Sequence, residues 1–546
     1  MAGYDTIVVG GGTAGCAVAA RLSEDLERTV LLLEAGGSGR RPEVRIPAAF
    51  GAQFKSALDW DYHCEPEQAY GGRELDQPRG RMLGGSSSMN LMLYIRGNRA
   101  DYDGWAANGA SGWSYADVLP YFRRSEHNEE IFNEYHGVGG PLNVTTIPSH
   151  DSLSDDWIEA AVSAGIPANP DFNGELQDGV GRPQVTQRRG ARCDAATAFL
   201  RPAMRRPNLT VVTGAEVDRV QLRRGRAVAV DYSVGGRSRS DTATGQIVLC
   251  AGVFGSAEIL QRSGIGDPAR LAEVGVQARH DLPAVGANLA DHPMVSLQFE
   301  IAGGAVGLNN VTGRANLPRS RYLAQWLLHR TGKLTSNIGE SLAHVRSDPS
   351  LPAPDLQLLF APVFFSADGS RHPVPAMTMG ASYLTPSSRG WVRITGPDPT
   401  ARARVKLNLL SQQHEIDVCL WAMERLRELA DEPAMRRRVS RVLVAGRQRQ
   451  EVLAHIRQTG AHTYHASGTV RIGSPQDGAV DARLRVHGID GLRVADASVF
   501  PVIPRGNTNA PALMVGERCA DFIREDESAG RAGFLRSTPT RGQQHG

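Results

Sequence analysis

The chain has 546 residues, of which 41% are hydrophobic and 22% charged. It is too long for one simple domain and has the composition of a globular protein. A formal net charge of +2 gives no basic excess of the kind that nucleic-acid-binding proteins carry, and no apolar run approaches the roughly 18 residues of a membrane span. The six cysteines are scattered without a CxxC pair. This argues against a metal site or a disulfide framework and favours a reducing, cytoplasmic location.

Residues 4–34 have the pattern strand, glycine-rich turn, helix, strand, with G-x-G-x-x-G in the turn. In such a unit Gly10 makes the tight turn, Gly12 admits a pyrophosphate to the backbone, and Gly15 lets helix and strand pack closely. Glu34 ends the second strand, near the place where an acidic residue holds a ribose hydroxyl, and its charge should repel the 2′-phosphate of NADP. The pattern therefore predicts dinucleotide binding. The alternative is a glycine-rich turn in an ordinary α/β domain.

The next elements follow from hydrophobic periodicity and turn residues. We expect a turn at Gly235-Gly236 and a helix over 412–435 whose apolar stripe belongs to the core. Strands are expected at 208–213, 216–222, 227–233 and 247–250. After about Glu525 the chain is polar and glycine-rich, which predicts a flexible tail over 527–546.

Three further segments carry chemical signals. The first, residues 78–90, is rich in Gly and Ser, which is also typical of a linker. Its apolar flanks favour a packed loop that presents backbone amides to an anion or a ring. The second, residues 252–266, starts a helix directly after a strand, and His292 a little later is interpreted as a structural histidine. The third is the C-terminal block of residues 462–469, 494–498 and 506–511.

Together these segments resemble the glucose–methanol–choline (GMC) family of FAD-dependent oxidoreductases, over residues 4–523. The segments that carry the resemblance are the glycine turn, residues 80–90, 263–266 and 288–292, His465-x-x-Gly468-Thr469, and Asn507-x-Asn509-x-Pro511. The chain is most similar to the bacterial branch of choline dehydrogenases and aliphatic or polyether alcohol dehydrogenases, through residues 60–62, 94–97 and 178–181.

The chain departs from the family pattern at two places. Val253 and Ala257 stand where the second family signature usually has a small or hydroxyl residue and a Pro or Ser, although its glycines and Ser263 remain. Met89 stands where some members attach FAD covalently to a histidine. A thioether cannot form that bond, so we expect the FAD to be non-covalent.

The resemblance implies a catalytic pair. In the family, the histidine of His-x-x-Gly-Thr faces the flavin, and a second His or Asn follows some forty residues later; His465 and Asn507 match these positions. Alcohol oxidation needs a base for the hydroxyl proton, and imidazole suits that task near neutral pH. Asn507 would hold the alcohol oxygen. The alternatives are a buried structural histidine and a helix cap, and the role of His462 stays open.

The resemblance also implies the residues that contact FAD. The helix after Asn509, which we expect over 512–523, would point its positive N-terminal end at the flavin pyrimidine ring. The implied cofactor-binding residues are Gly10, Gly12, Thr13, Ala14, Gly15, Glu34, Ala35, Arg81, Leu83, Gly84, Gly85, Ser86, Asn90, Val217, Ala251, Gly252, Asp496, Ala497, Asn507 and Thr508.

The predicted fold class is α/β. A Rossmann-like FAD-binding domain (1–150, 200–300 and 460–526) is interleaved with a substrate domain (151–199 and 301–459) built on an antiparallel sheet backed by helices. Within the substrate domain Phe364, Phe365 and Glu340 are candidates for a pocket, or else for the core and the surface.

The predicted function is FAD-dependent oxidation of a small-molecule alcohol, primary rather than secondary, to an aldehyde. We favour a dehydrogenase that passes electrons to a quinone or a dye-like acceptor. The alternatives are an oxidase that uses oxygen, a lyase that keeps FAD as structure, and, more remotely, an NADH-using flavin enzyme or a nucleotide-binding module. We expect a cytoplasmic protein without nucleic-acid partners. Peripheral attachment to the inner membrane and homo-oligomer formation stay open, and the sequence does not name the alcohol.

Overall fold

The computed structural model describes residues 3–302, 307–309, 311, 319–364, 372–443 and 446–537. Its helices are α1 (Thr13–Leu22), α2 (Pro42–Arg45), α3 (Arg99–Ala107), α4 (Tyr115–Ser125), α5 (Ser152–Ser163), α6 (Arg201–Ala203), α7 (Gly252–Arg262), α8 (Pro268–Glu273), α9 (Ser320–His329), α10 (Gln413–Asp431), α11 (Pro433–Arg436), α12 (Arg449–Thr459) and α13 (Asn509–Ser537).

The strands form two large sheets and several small ones. They are β1 (Gly3–Val9), β2 (Val30–Glu34), β3 (Tyr62–His63), β4 (Asp76–Gln77), β5 (Glu126–Asn128), β6 (Leu142–Val144), β7 (Gly179–Gly181), β8 (Gln187–Arg188), β9 (Ala191–Arg192), β10 (Leu209–Thr213), β11 (Ala215–Arg223), β12 (Arg226–Val234), β13 (Arg237–Leu249), β14 (Ile265–Gly266), β15 (His280–Asp281), β16 (Pro293–Ile301), β17 (Ser341–Val345), β18 (Leu356–Ala361), β19 (Ala376–Tyr383), β20 (Trp391–Arg393), β21 (Arg404–Lys406), β22 (Val439–Val442), β23 (Ala461–His462) and β24 (Leu492–Val494).

The first large sheet has the order β10-β2-β1-β13-β12-β11, with β24 also paired to β13. Strands β10, β2, β1, β13 and β24 run parallel, while β11, β12 and β13 form an antiparallel meander. In the parallel part, Val8 pairs with Leu32 on one side and Val248 on the other, and all three side chains are buried. Parallel strands covered on both faces need such unbroken apolar runs. The predicted strand–helix–strand unit is therefore β1–α1–β2.

Two glycines fix the geometry of this unit. Gly10 has a φ of 98°, and a Cβ there would stand 2.4 Å from the carbonyl oxygen of Cys250. A Cβ on Gly15 would stand 1.9 Å from the carbonyl oxygen of Gly10, so α1 can pack this closely on β1 only without a side chain. The chain thus reaches the N-terminus of α1 beside the end of β13, at the carboxyl edge of the sheet.

The second large sheet has the order β22-β16-β19-β18-β17-β7, with β23 paired to β16, and every pairing is antiparallel. Helix α10 packs against it through the predicted apolar stripe, including the buried Cys419, Met423 and Leu426. The fold class is therefore as expected, an α/β protein with a Rossmann-like sheet and an antiparallel sheet backed by helices. Strand β16 begins at Pro293, whereas the predicted substrate domain resumes at residue 301, so the exact division into domains stays a prediction.

The last helix, α13, is longer than expected. It continues to Ser537, although a flexible tail was predicted from residue 527. Ion pairs hold the start of this extension, because Asp526 pairs with the buried Arg493, and Glu527 pairs with Arg28. Residues 538–546 of the predicted tail lie outside the described residues. Neither α13 nor any other helix in the described ranges is long and apolar enough to cross a bilayer.

Candidate active site

A deep cavity lies between the carboxyl edge of the first sheet and one face of the second sheet. The implied cofactor residues that line it are Gly10, Gly12, Thr13, Ala14, Glu34, Ala35, Gly85, Ser86, Asn90, Val217, Ala251, Gly252, Asp496, Ala497, Asn507 and Thr508. The others, Gly15, Arg81, Leu83 and Gly84, are not part of the lining. Gly15 packs α1 on its strand, and Gly84 donates its amide to the Gly11 carbonyl at 2.7 Å.

Two glycine loops meet at one end of the cavity. A Cβ on Gly85, at the start of a short helical turn over Gly85–Ser88, would stand 2.8 Å from the Cα of Gly12. Gly12 directly precedes α1, and its position is not crowded, with only the Cys250 carbonyl oxygen within 4 Å of a Cβ, at 3.8 Å. The cavity wall here is therefore bare backbone beside a helix N-terminus, which is the ordinary setting for a pyrophosphate.

Glu34 lies at the same end and is buried. Its carboxylate accepts hydrogen bonds from the amides of Gly11 at 2.8 Å and Gly36 at 2.7 Å, and it faces the cavity. Burial raises the pKa of Glu34, and these amide donors oppose that effect. The carboxylate therefore holds the glycine turn in place as well as presenting an acceptor to a ligand.

The predicted catalytic pair meets in the same cavity. Asn507 Nδ2 lies 3.0 Å from His465 Nε2, and both residues line the cavity. An amide nitrogen only donates, so Nε2 carries the lone pair. Asn507 Oδ1 is buried with no hydrogen-bond partner among the described residues. Such an atom is expected where the missing partner is a ligand.

The opposite edge of the His465 ring contacts a second histidine. His465 Nδ1 lies 3.0 Å from His292 Nδ1 and 2.8 Å from Thr463 Oγ1, and His292 Nε2 lies 3.1 Å from the Leu384 carbonyl oxygen. A carbonyl only accepts, so His292 Nε2 donates and its Nδ1 accepts when the ring is neutral. His465 Nδ1 then carries the proton. The hydrogen bonds to His292 and the hydrogen bond from Asn507 therefore assign the same tautomer to His465, with the proton on Nδ1 and the lone pair on Nε2.

His292 is therefore more than the structural histidine that the sequence suggested. It is fully buried and does not line the cavity, but it determines which nitrogen of His465 is free. Residues 288–292 were part of the resemblance to the family, but the sequence did not show that this segment lies against His465.

Asp291 holds the backbone of both His292 and His465 by hydrogen bonds. One carboxylate oxygen accepts the backbone amides of His292 and His465, each at 2.8 Å. The other lies 3.1 Å from His462 Nδ1 and 3.0 Å from Gln77 Nε2. Although burial opposes ionisation, His462, His465 and Arg79 hold the pKa of Asp291 well below its usual range. Asp291 belongs to the segment 288–292, but no pattern in the sequence assigns it a role.

Burial makes the histidines weak bases in the resting protein. Burial, with a smaller contribution from the neighbouring His292, lowers the pKa of His465 to about 3. Burial likewise lowers the pKa of His292 to about 4, against the attraction of Asp291. Both rings are neutral at physiological pH, as the hydrogen-bond network requires.

The remaining candidates from the sequence have other places. Glu340 is buried and accepts hydrogen bonds from Ser336, Ser154 and the Asp151 amide, so its role is structural. Phe364 stacks on His372 and does not line the cavity. Phe365 lies outside the described residues.

Met89 is buried beside Val44, Leu58 and Met82, and it lines the cavity. The N-terminus of α13 also borders the cavity, where Thr13 donates a hydrogen bond to Asn509 Oδ1 at 2.8 Å. The cavity is therefore bordered by the N-termini of three helices, α1, α7 and α13, whose positive ends favour anionic groups. Among the described residues, no cluster of three or more His, Cys, Asp or Glu side chains could hold a metal ion.

Comparisons with known proteins support the resemblance. Two family models for GMC oxidoreductases, one N-terminal and one C-terminal, match residues 4–294 and 386–516. An uncharacterised GMC-type oxidoreductase of Mycobacterium tuberculosis is 41% identical over 95% of this chain and 99% of its own length. An oxygen-dependent choline dehydrogenase of Sinorhizobium medicae is 37% identical over 95% of each chain.

Solved structures of this family have the same fold as the chain. Pyridoxine 4-oxidase from Mesorbium loti superposes with a TM-score of 0.87 at 30% identity, over 96% of this chain and 99% of that one. A variant of formate oxidase from Aspergillus oryzae superposes with a TM-score of 0.90 at 27% identity, over 97% and 99%. The chain therefore belongs to the family of GMC oxidoreductases, and it is an FAD-dependent enzyme.

Proposed function

We propose that the enzyme oxidises a primary alcohol to the aldehyde. When bound, FAD supplies the acceptor for the hydride that leaves the carbinol carbon. The observation that carries the proposal is the contact of 3.0 Å between Asn507 Nδ2 and the free nitrogen of His465 at the cavity wall. The two groups are suited to the two tasks of alcohol activation, which are removing the hydroxyl proton and holding the oxygen.

The residues present fit FAD. The bare backbone at Gly12 and Gly85 would hold the pyrophosphate, and Glu34 would accept from the ribose hydroxyls. Val217, the Ala251–Gly252 turn, Asp496 and Thr508 line the same cavity and would complete the FAD site. Met89 offers no nitrogen or thiol for a covalent bond, which supports non-covalent FAD.

The chain's own residues would act in a defined order. The alcohol hydroxyl takes the place of the Asn507 amide at His465 Nε2 and donates its proton there, while Asn507 Nδ2 holds the oxygen. The imidazolium that results keeps its Nδ1 proton towards His292 and Thr463. The ionised Asp291 behind the ring stabilises the new positive charge. This stabilisation matters because burial otherwise disfavours a protonated His465.

Anaerobic reduction of the FAD by a panel of primary alcohols tests the proposal. The wild-type enzyme should bleach with at least one alcohol. His465→Ala should keep its FAD and slow the bleaching roughly a hundredfold or more, as loss of a general base does. Asn507→Ala should slow it less, and His462→Ala serves as the control with the smallest effect. If no alcohol bleaches the FAD, or if His465→Ala bleaches at the wild-type rate, the proposal is wrong.

For the acceptor we propose a quinone, or a dye in its place, with oxygen as the alternative. The relatives support the alternative, since one is named an oxygen-dependent choline dehydrogenase and the solved structures include oxidases. Mixing the reduced enzyme with a soluble quinone or with oxygen, and following the return of the FAD absorbance, decides between them.

A further inference from the structure

One face of the antiparallel sheet forms a wall of the cavity close to the catalytic histidines. Strand β16 begins directly after His292, and strand β19 ends directly before Leu384, whose carbonyl oxygen lies 3.1 Å from His292 Nε2. Met294, two residues after His292, pairs with Ser382, two residues before Leu384, and both line the cavity. Because two strand residues span roughly 7 Å, Ser382 lies within roughly 10 Å of the ring that contacts His465.

A row of three side chains crosses this wall. Strands β16, β19 and β18 place Met294 beside Ser382, and Ser382 beside Gln357. Direct partners on adjacent strands turn their side chains to the same face, with Cβ atoms about 5 Å apart. All three residues line the cavity, so the row presents a thioether, a hydroxyl and an amide to a bound substrate.

The hydroxyl groups on this wall differ in whether they have partners. Ser296 Oγ accepts a hydrogen bond from Gln298 Nε2 at 2.9 Å, and Thr378 Oγ1 donates to the Val363 carbonyl oxygen at 3.0 Å. Ser382 Oγ has no hydrogen-bond partner among the described residues, although Ser382 is only 3% exposed. Its hydroxyl is therefore left for whatever occupies the cavity.

The side-chain amide of Gln357 is bound at one end only. Gln357 Nε2 lies 3.1 Å from Nε2 of His344, its paired neighbour on β17. His344 is fully buried, and its ring meets the ring of Phe172 edge to face with centres 5.1 Å apart. Burial lowers the pKa of His344 to about 3, so this fixed partner is neutral. Gln357 Oε1 has no partner among the described residues and is left to the cavity.

Two unpartnered polar groups thus stand side by side on a buried wall. Buried polar groups in proteins are hydrogen-bonded, so a pair left open in a cavity is expected to bind a polar group of a ligand. A hydroxyl group fits both, because it can donate to Gln357 Oε1 and accept from the hydroxyl of Ser382. It also fits if the amide is turned over, since Nε2 then donates to it and Ser382 accepts. An ether or carbonyl oxygen has no proton for Oε1.

We propose that the substrate is a primary alcohol that carries a second hydroxyl group, which Ser382 and Gln357 bind while His465 and Asn507 act on the first. The inference rests on the proposed alcohol oxidation and adds the class of substrate to it. Ser382 and Gln357 determine specificity, and His344 is a positioning residue that orients the Gln357 amide. The second hydroxyl takes no part in the chemical step and leaves unchanged with the aldehyde.

Straight-chain diols and primary alcohols of equal length are the decisive probes, in pairs from butane-1,4-diol and butan-1-ol to octane-1,8-diol and octan-1-ol. A site with buried groups that pair with a hydroxyl discriminates against the analogue that lacks it. Under anaerobic conditions, we expect at least one diol to reduce the purified FAD enzyme with a second-order rate constant at least tenfold higher than its partner. This exceeds the twofold advantage of two equivalent ends.

The outcomes of this comparison are distinct. A ratio below tenfold in every pair would overturn the inference and leave alcohol oxidation intact. Failure of every diol and every alcohol to reduce the FAD would instead overturn the proposed function.

Substitutions in the row give a second readout. Ser382→Ala and Gln357→Met should each lower the diol-to-alcohol ratio threefold or more, because each removes a hydrogen bond that only the diol makes. Met294→Leu is the matched control in the same row, since it is close in size and changes no hydrogen bond, and it should leave the ratio near that of the wild type. General damage to the wall would slow both substrates alike. Unchanged ratios in Ser382→Ala and Gln357→Met, each with its FAD content verified, would show that no second hydroxyl binds there and overturn the inference.

Discussion

Replacing His292 by alanine should slow the reduction of the FAD by alcohol while leaving the FAD bound. His292 does not line the cavity, but its Nδ1 accepts a hydrogen bond from His465 Nδ1 at 3.0 Å. Without His292, the N–H group at Nδ1 of His465 loses one of its two hydrogen-bond acceptors. A proton at Nδ1 is what leaves Nε2 free to act as a base. The reactive tautomer is then less favoured, and the ring is less well oriented. His292 is thus a positioning residue, not a catalytic one.

The magnitude follows from the contacts that remain. A neutral hydrogen bond contributes about 1 kcal/mol net, and a buried donor without any partner costs up to about 3 kcal/mol. Thr463 Oγ1 still accepts from His465 Nδ1 at 2.8 Å, so the loss should be about 1–2 kcal/mol. By the relation between free energy and rate, this is roughly a five- to thirtyfold slowing. The effect should be smaller than that of His465→Ala.

A double-mutant cycle separates positioning from general damage. Rapid mixing of alcohol with the oxidised enzyme under anaerobic conditions gives the reduction rate in the four proteins. In the His465→Ala background, His292→Ala should change the rate less than twofold, because no ring remains to be oriented. An equal slowing in both backgrounds would refute the tautomer argument and make His292 a purely structural residue.

The fold was predictable wherever the signal is local. The β1–α1–β2 unit follows from residues close in sequence, and so does the β12–β13 turn, where Gly235 and Gly236 both have positive φ. The apolar stripe of α10 follows likewise from helical spacing. The helical start of the predicted tail was not predictable, because Asp526 and Glu527 pair with Arg493 and Arg28, which are distant in the chain.

In the active site, too, local signals were predictable and contacts between distant segments were not. His465 and Asn507 were identified by their resemblance to a family pattern, and the structure brings them within hydrogen-bond distance. His292 lies 173 residues before His465, and no periodicity links the two. The pair Asp291-His292 stood in a recognised segment, but the antiparallel pairing of β16 with β23, continued by the bridge between Ala290 and Ser467, brings it beside the residues around His465. Long-range strand pairing therefore decides what a motif contacts.

Three further predictions concern the cofactor and the response to pH. Glu34→Arg should lower the FAD retained after gel filtration, with Glu34→Gln as the milder control, because the reversed charge removes the acceptor of the Gly11 amide as well as that of a ribose hydroxyl. Acid precipitation should leave a white pellet and a yellow supernatant, since Met89 cannot bond FAD covalently; flavin fluorescence on the polypeptide in a denaturing gel would contradict this.

The third prediction follows from burial, which lowers the pKa of His465 to about 3 and that of His292 to about 4. A base must be neutral to act, so the rate of flavin reduction should stay level as the pH falls from 8 to 5, where a histidine with the ordinary pKa of about 6.5 would already be protonated. Stability should behave differently. Below pH 6.5 the unfolded chain binds protons at these histidines and the folded chain does not, so the free energy of unfolding should fall with decreasing pH between about 6.5 and 4. Parallel measurements of reduction rate and of urea unfolding across this range test both signs, and a reduction rate that halves near pH 6.5 in a fully folded enzyme would show that His465 is not held neutral by burial.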